Sequence, residues 1–124
     1  MTTPFHEIIR RPEFERDFKK LSKRFRILDE DLENLIKHQI ILLHKVGIDN
    51  RGSFQIPGFP FHDPEIFKVK KFACKALKGR GANTGLRLIY AYFKDADRVE
   101  LIEIYFKGDK ENEDKERILN IYKG

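Results

Sequence analysis

The chain is poor in the residues that build covalent or metal-based sites. One cysteine, Cys74, in 124 residues excludes an internal disulfide and suits a reducing compartment. No histidine lies close to Cys74 in the sequence, so we expect a small buried apolar side chain rather than a nucleophile. The four histidines lack metal-ligand spacing, and we expect no metal and no cofactor.

Long hydrophobic runs are also absent. No apolar stretch approaches the roughly 20 residues that cross a bilayer, and the acid-containing N-terminus lacks the pattern of a secretion signal. A hydrophobic content of 40% with eleven Phe argues against disorder. We therefore expect residues 1–124 to form a single cytoplasmic domain with one core and no membrane contact.

Acidic residues are missing from residues 66–94. The segment carries eight positive charges: Lys68, Lys70, Lys71, Lys75, Lys78, Arg80, Arg87 and Lys94. The rest of the chain has 17 Lys and Arg against 20 Asp and Glu, so this segment alone makes the net charge +5. Such a segment attracts a polyanion, because each phosphate contact releases counterions. A solvated lysine-rich surface is the simpler interpretation, although such surfaces usually mix both signs.

The first half of the chain predicts a short strand and two helices. The strand covers residues 5–9, and Pro12 suits the first position of the first helix. Apolar residues recur there at helical spacing: Phe14, Phe18, Leu21 and Phe25. A second helix begins in the acidic turn at residues 29–31 and ends at Gly47, a typical C-cap. The two helices predict a hairpin with one apolar side.

The second half predicts three strands, at residues 66–76, 86–93 and 99–107. In the first, the alternation slips, and a bulge at Lys70 and Lys71 is expected to return Phe72 to the side of Val69. Short connections predict an antiparallel meander. A charged helix from about Glu111 ends the chain.

The order β-α-α-β-β-β-α predicts an α+β fold, with a four-stranded antiparallel sheet and the helical hairpin on one face. Residues 50–64, rich in Pro, Gly and Phe, are expected to form a loop packed onto the body. In the last strand, alternation turns Glu100 and Ile102 inward and Val99 and Leu101 outward. Six polar residues are assigned to a partly open second face: Lys68, Lys70, Arg87, Glu103, Tyr105 and Lys107.

A concave surface with these six polar residues, a cationic basin, suits attack of an RNA 2′-OH on the adjacent phosphate. Fixed cations stabilise the charge that develops on the phosphoryl oxygens, while a base takes the 2′-OH proton and an acid protonates the departing 5′-oxygen. Each residue also has a simpler interpretation: a strand lysine is usually solvated, and Glu103 is equally suited to a cross-strand ion pair.

Four segments carry a family resemblance: PEFERDFKKLSKRF, FKVKKF, GLRLIYAYF and VELIEIYFKGDKENEDKERI. In this order they resemble the RelE/ParE superfamily of bacterial toxins from type II toxin–antitoxin modules. The resemblance implies a single RelE-like toxin domain over residues 1–124. For the RelE branch it implies a metal-independent endoribonuclease that cuts mRNA in the ribosomal A site, leaves a 2′,3′-cyclic phosphate and is held inactive by a cognate antitoxin protein.

The resemblance also implies roles for four cations. The family's paired strand lysines fall on Lys68 and Lys70, and its phosphate-binding arginine falls on Arg87. A second arginine, which stabilises the transition state, falls on Lys107, where lysine keeps the charge but not the bidentate fork.

The identity of the base stays open. The family has a tyrosine in its C-terminal segment, which would correspond to a position near Glu113. This chain has no tyrosine there, so Tyr105 and Glu103 are the candidates for the base. Four further cations near the turn are expected to contact RNA: Lys71, Lys75, Lys78 and Arg80.

Three functions are compatible with these features. The first is a ribosome-dependent mRNA endoribonuclease, the second a ParE-like inhibitor of DNA gyrase, and the third a degenerate member that binds RNA or a partner without cutting. The lysine pair, Arg87 and Lys107 favour the first, because gyrase inhibition does not require a phosphate-binding basin. The missing tyrosine favours the third.

Overall fold

A mixed five-stranded sheet organises the protein. The computed structural model describes residues 4–49, 51–72 and 84–122. The strands are β1 (Glu7–Arg10), β2 (Ser53–Gln55), β3 (Glu65–Val69), β4 (Leu86–Phe93) and β5 (Arg98–Phe106). They lie in the order β1-β5-β4-β3-β2, with β1 parallel to β5 and all other neighbours antiparallel.

The α+β class is confirmed, but the predicted four-stranded antiparallel sheet is wrong in two respects. The Pro-rich loop contributes β2, whose backbone pairs with the edge of β3. The first strand joins parallel to β5: after the helices the chain returns at the opposite edge, β2, and reaches β5 only through the antiparallel strands β3 and β4.

Three helical regions flank the sheet: α1 (Pro12–Ser22), α2 (Leu28–Leu35) and α3 (Lys115–Tyr122). Pro12 is the first residue of α1, as predicted. Beyond α2 the chain continues through wider, i→i+5 turns at Ile36–Ile40 and Leu42–Val46, and Gly47 ends it with a φ of 83°. None of the helices in the described ranges is long and apolar enough to cross a bilayer.

The main core lies between α1, α2 and one face of the sheet. From β4 it takes the residues that alternate with Arg87: Leu86, Leu88, Tyr90 and Tyr92. The predicted irregularity after β3 is present, because the N–H groups of Lys70 and Lys71 both point to the carbonyl of Gly52, at 2.8 and 3.5 Å. Phe72 is fully buried in the same core as Val69, as predicted, whereas Cys74 lies outside the described residues.

A second bulge, which the sequence analysis missed, lies in β5. Ile89 pairs with Glu103, but the next residue, Tyr90, pairs with Leu101. Ile102 is therefore the extra residue of the bulge, and the alternation of side chains reverses there.

Because of this bulge, four of the predicted side-chain orientations are wrong. Val99 and Leu101 lie in the helix-side core instead of facing outward. Ile102 belongs to the opposite cluster, and Glu100 accepts a hydrogen bond from the α3 residue Tyr122 at 2.8 Å on that side. The expected outward positions of Glu103 and Tyr105 hold, because both follow the bulge.

The second face is partly covered rather than open. Its core contains six buried residues: Ile66, Ile89, Ala91, Ile102, Tyr105 and Ile118. Ile118 comes from α3, and Phe59 and Phe61 of the Pro-rich loop pack against the same cluster. The start of α3 at Lys115, later than expected, follows from an N-cap: Asp114 Oδ1 accepts the N–H of Arg117 at 3.0 Å.

His44 is enclosed by aromatic rings in the main core. Its ring stacks on Tyr92 with centroids 3.9 Å apart and meets Phe67 edge-on at 4.7 Å. Its Nε2 shares a hydrogen bond of 2.8 Å with the Tyr90 hydroxyl. Burial lowers the pKa of His44 to about 4, so the imidazole is neutral at pH 7.

We expect His44 to reduce stability at acid pH. Its folded pKa lies below its ordinary value, so the unfolded chain binds more protons than the folded chain between about pH 6.5 and 4. The free energy of unfolding therefore decreases as the pH is lowered through that window. After allowance for partial burial, the loss is about 2 kcal/mol. Urea unfolding at pH 7 and 4 should show a smaller pH effect in His44→Gln than in the wild type. His38→Gln, at an exposed position, is the control and should behave as the wild type; an equal pH effect in all three proteins would contradict this role.

Candidate nucleic-acid interface

Five cations lie at or near the neighbouring ends of β3, β4 and β5, and we call them the cationic surface: Lys68, Lys70, Arg87, Lys107 and Lys110. The ammonium groups of Lys68 and Lys110 lie 6.0 and 5.5 Å from the centroid of the Tyr105 ring. Arg87 is opposite Tyr105 in the β4–β5 ladder. Lys68 and Arg87, both from the acid-free segment, therefore lie close to Tyr105 in the last part of β5.

Arg87 is held by backbone carbonyls and not by an acid. Its Nη1 donates to the carbonyl oxygens of Lys70 and Leu86, at 3.2 and 3.1 Å. Within the described ranges no carboxylate pairs with it, and its Nε and Nη2 make no hydrogen bond. The guanidinium is thus oriented while donors remain available for an anion, the geometry that suits a phosphate.

Lys70 and Lys107 also lack a carboxylate partner within the part of the chain described. Lys70 is exposed, with its ammonium 5.3 Å from the centroid of the Phe54 ring. Lys107 is exposed in the turn after β5, where its N–H donates to the carbonyl of Gly85 at 2.8 Å. Three of the four cations to which the family resemblance gives roles therefore have no carboxylate partner among the described residues.

Lys68 differs, because it forms an ion pair with Glu113 at 3.2 Å. Burial opposes the charge on both groups. For Lys68, interactions with Tyr105 and Glu113 outweigh burial and raise the pKa of its ammonium. For Glu113, a backbone N–H and the Lys68 ammonium outweigh burial and lower the pKa of its carboxyl. The pair therefore stays charged on both sides at neutral pH.

Tyr105 is poorly suited to act as a base. Its hydroxyl is buried and has no well-aligned hydrogen-bond partner among the described residues, although the nearby ammonium of Lys68 favours its ionised form. Burial raises the pKa of Tyr105 although Lys68 acts in the opposite direction. A phenol that ionises less readily than usual does not take a proton efficiently at pH 7.

Glu103 is a structural group in this arrangement. It is 2% exposed, its Oε1 accepts the N–H of Asp114 at 2.8 Å, and its Oε2 pairs with the ammonium of Lys110. Because Asp114 in turn caps α3, Glu103 links the start of that helix to the sheet. Both carboxylate oxygens are engaged in holding α3 on the second face.

Of the other residues predicted to contact RNA, only Lys71 falls within the described ranges. It is exposed, and its carbonyl accepts a hydrogen bond from the Gln39 side chain. Lys75, Lys78 and Arg80 lie outside the described residues.

Three residues of the site were not predicted: Phe54, Lys110 and Glu113. Lys110 and Glu113 come from the charged segment before α3, whose mixed charges are typical of a solvated surface. Only the absence of the expected family tyrosine drew attention to Glu113, without indicating that it meets Lys68. Phe54 follows from β2, a strand that was expected to be loop.

The far end of the second face has a different chemistry. A cavity of about 420 Å³ lies between the Pro-rich loop and β3. Its lining includes Ile56, Phe59, Phe61, His62, Glu65 and Ile66, and no Lys or Arg is among the described residues that line it. Within the described ranges no three His, Cys, Asp or Glu side chains are arranged to hold a metal ion.

No protein-family model, curated protein or solved structure matches this chain. Its function is therefore inferred from the geometry and charge of the cationic surface.

We expect Glu103 to contribute to stability more than to any reaction. Glu103→Ala leaves the N–H of Asp114 and the ammonium of Lys110 without their partner, which costs about 2 kcal/mol of unfolding free energy. Glu103→Gln keeps an acceptor and should lose about half as much. Urea denaturation measures both, with the exposed Glu111→Ala as control. Equal stability of Glu103→Ala and the control would contradict the anchoring role.

Proposed function

We propose that this protein is the toxin of a type II toxin–antitoxin module and a RelE-like endoribonuclease that cuts mRNA on the ribosome. The observation that carries the proposal is the set of three cations without carboxylate partners in the described ranges, Lys70, Arg87 and Lys107, beside the ion pair of Lys68 and Glu113. Positive groups on and beside the strand ends attract the RNA backbone and stabilise a phosphorane-like transition state. A cognate antitoxin would inhibit it by covering this surface.

Arg87 is proposed to bind the scissile phosphate. Its guanidinium is oriented by two carbonyls before any ligand arrives, so little side-chain freedom is lost on binding. Lys70, whose carbonyl is one of those acceptors, and Lys107, beyond the end of β5, supply further charge from either side of Arg87.

Glu113 replaces Glu103 and Tyr105 as the proposed base. It takes the 2′-OH proton as the 2′-oxygen bonds to phosphorus. Lys68 gives a proton to the 5′-oxygen as its bond to phosphorus breaks. The hydrogen bond of 3.2 Å between Lys68 and Glu113 then returns the proton to the lysine, which leaves a 2′,3′-cyclic phosphate and restores both groups.

A second function, RNA binding without cleavage, has its own support. Both carboxylates near Tyr105 are paired with lysines, and the phenol is buried. A carboxylate with a lowered pKa is also a weaker base than one with an ordinary pKa. In that case the cations would bind RNA without cleaving it. Growth would then be inhibited because the protein occupies the RNA, not because it cuts it.

We expect Arg87→Ala to abolish mRNA cleavage, with a loss of about 100-fold or more, because one preorganised donor to the transition state is removed. The test is induction in bacteria followed by mapping of mRNA 5′ ends, in which the wild type should give codon-periodic cuts. Arg26→Ala removes the same charge at an exposed position before α2 and should cut as the wild type. Undiminished cleavage by Arg87→Ala would contradict the assignment as an endoribonuclease. DNA damage without mRNA cuts would indicate gyrase inhibition instead.

Glu113→Gln separates cleavage from binding. If Glu113 is the base, cleavage should fall by about 100-fold, while RNA affinity stays equal or rises because a negative charge is lost. Glu111→Gln makes the same charge change at an exposed position two residues earlier and serves as the control. Equal cleavage by the two variants would exclude the base role. Binding by both variants and the wild type, with no cleavage by any, would favour the second function.

A further inference from the structure

Phe54 is an exposed aromatic residue beside the cationic surface. It is the central residue of β2 and is 47% exposed. It pairs with Lys68 across the β2–β3 ladder, so the two side chains lie on the same face of the sheet. The ammonium of Lys70 is 5.3 Å from the centroid of its ring.

Folding does not account for this exposure. Phe54 belongs to neither core cluster. The other large hydrophobic residues exposed in the described ranges are all aliphatic: Ile8, Ile27, Val46, Ile48 and Leu119. The ring of Phe54 is thus exposed next to the cations that are proposed to bind phosphate.

We propose that Phe54 stacks on an unpaired base of the bound RNA. This inference rests on the proposed RNA-binding function and deepens it, since it commits the ligand to single-stranded RNA. Every base has a flat face that an aromatic ring accepts without regard to sequence, and duplexed bases do not offer it. A sheet ladder spaces strands about 4.8 Å apart, so β2 lies about 10 Å from β4 and Arg87. A base and a neighbouring phosphate of one short strand span that distance.

The position of Lys70 supports the same arrangement. Its backbone is fixed by the bulge at Gly52, where its N–H donates to the carbonyl oxygen at 2.8 Å. Its carbonyl thus holds the guanidinium of Arg87, while its ammonium lies by the ring of Phe54. A phosphate bound there brings the adjoining base towards the ring.

The test uses two ligands of equal length, an unstructured RNA oligomer and an abasic phosphodiester oligomer, at one ionic strength. Phe54→Leu keeps an apolar side chain but removes the ring, and it should weaken RNA binding about 10-fold with little change for the abasic oligomer. Ile48→Leu, at another exposed apolar site, is the control and should bind both ligands as the wild type does.

A second variant reports stacking directly. The chain has no tryptophan, so Phe54→Trp introduces a single tryptophan whose emission can be excited apart from that of the four tyrosines. RNA should quench its emission and the abasic oligomer should not. Wild-type RNA affinity in Phe54→Leu, or equal quenching by both ligands, would overturn the stacking role while leaving phosphate binding intact. If the wild type binds neither ligand, the proposed RNA function fails and stacking fails with it.

Discussion

The bulge in β5 is the constraint on which the second face depends. With Ile102 as the extra residue, Leu101 and Ile104 both reach the helix-side core, while Ile102 and Glu103 both reach the opposite side. One strand therefore supplies apolar residues to two cores and still presents a carboxylate to Asp114. Without the extra residue, side chains on one side of Ile102 would point to the opposite face. Either the apolar residues or Glu103 would then lie on the wrong face of the sheet.

Anchoring of α3 and anion binding compete for the same charges. Glu103 holds the start of α3, and its partner Lys110 is neutralised in the process. Glu113 neutralises Lys68 in the same way. The other cations of the cationic surface, Lys70, Arg87 and Lys107, have no carboxylate partner in the described ranges. In the proposed function, the groups that bind phosphate are thereby separate from the groups that move a proton.

The Pro-rich segment extends this surface. Its strand β2 completes the sheet edge and carries Phe54 on the side of Lys68, while Phe59 and Phe61 fix the rest of the segment on the second core. If its ring stacks on a base, contacts to phosphate and contacts to bases come from different strands. The unpaired charges of Arg87, Lys70 and Lys107 would then set affinity, and β2 would set the preference for unpaired RNA.

Local pattern by itself determined much of this protein. The start of α1 at Pro12, the end of the second helix at Gly47 and the outward face of Arg87 all depend on spacing between near neighbours, which the sequence displays. Only the tertiary structure decided the direction of β1, the pairing of β2, the bulge at Ile102 and the ion pair between Lys68 and Glu113. The reason is physical: a strand's partner and a bulge depend on pairing between separate segments, and Lys68 meets Glu113 across 45 positions of the chain.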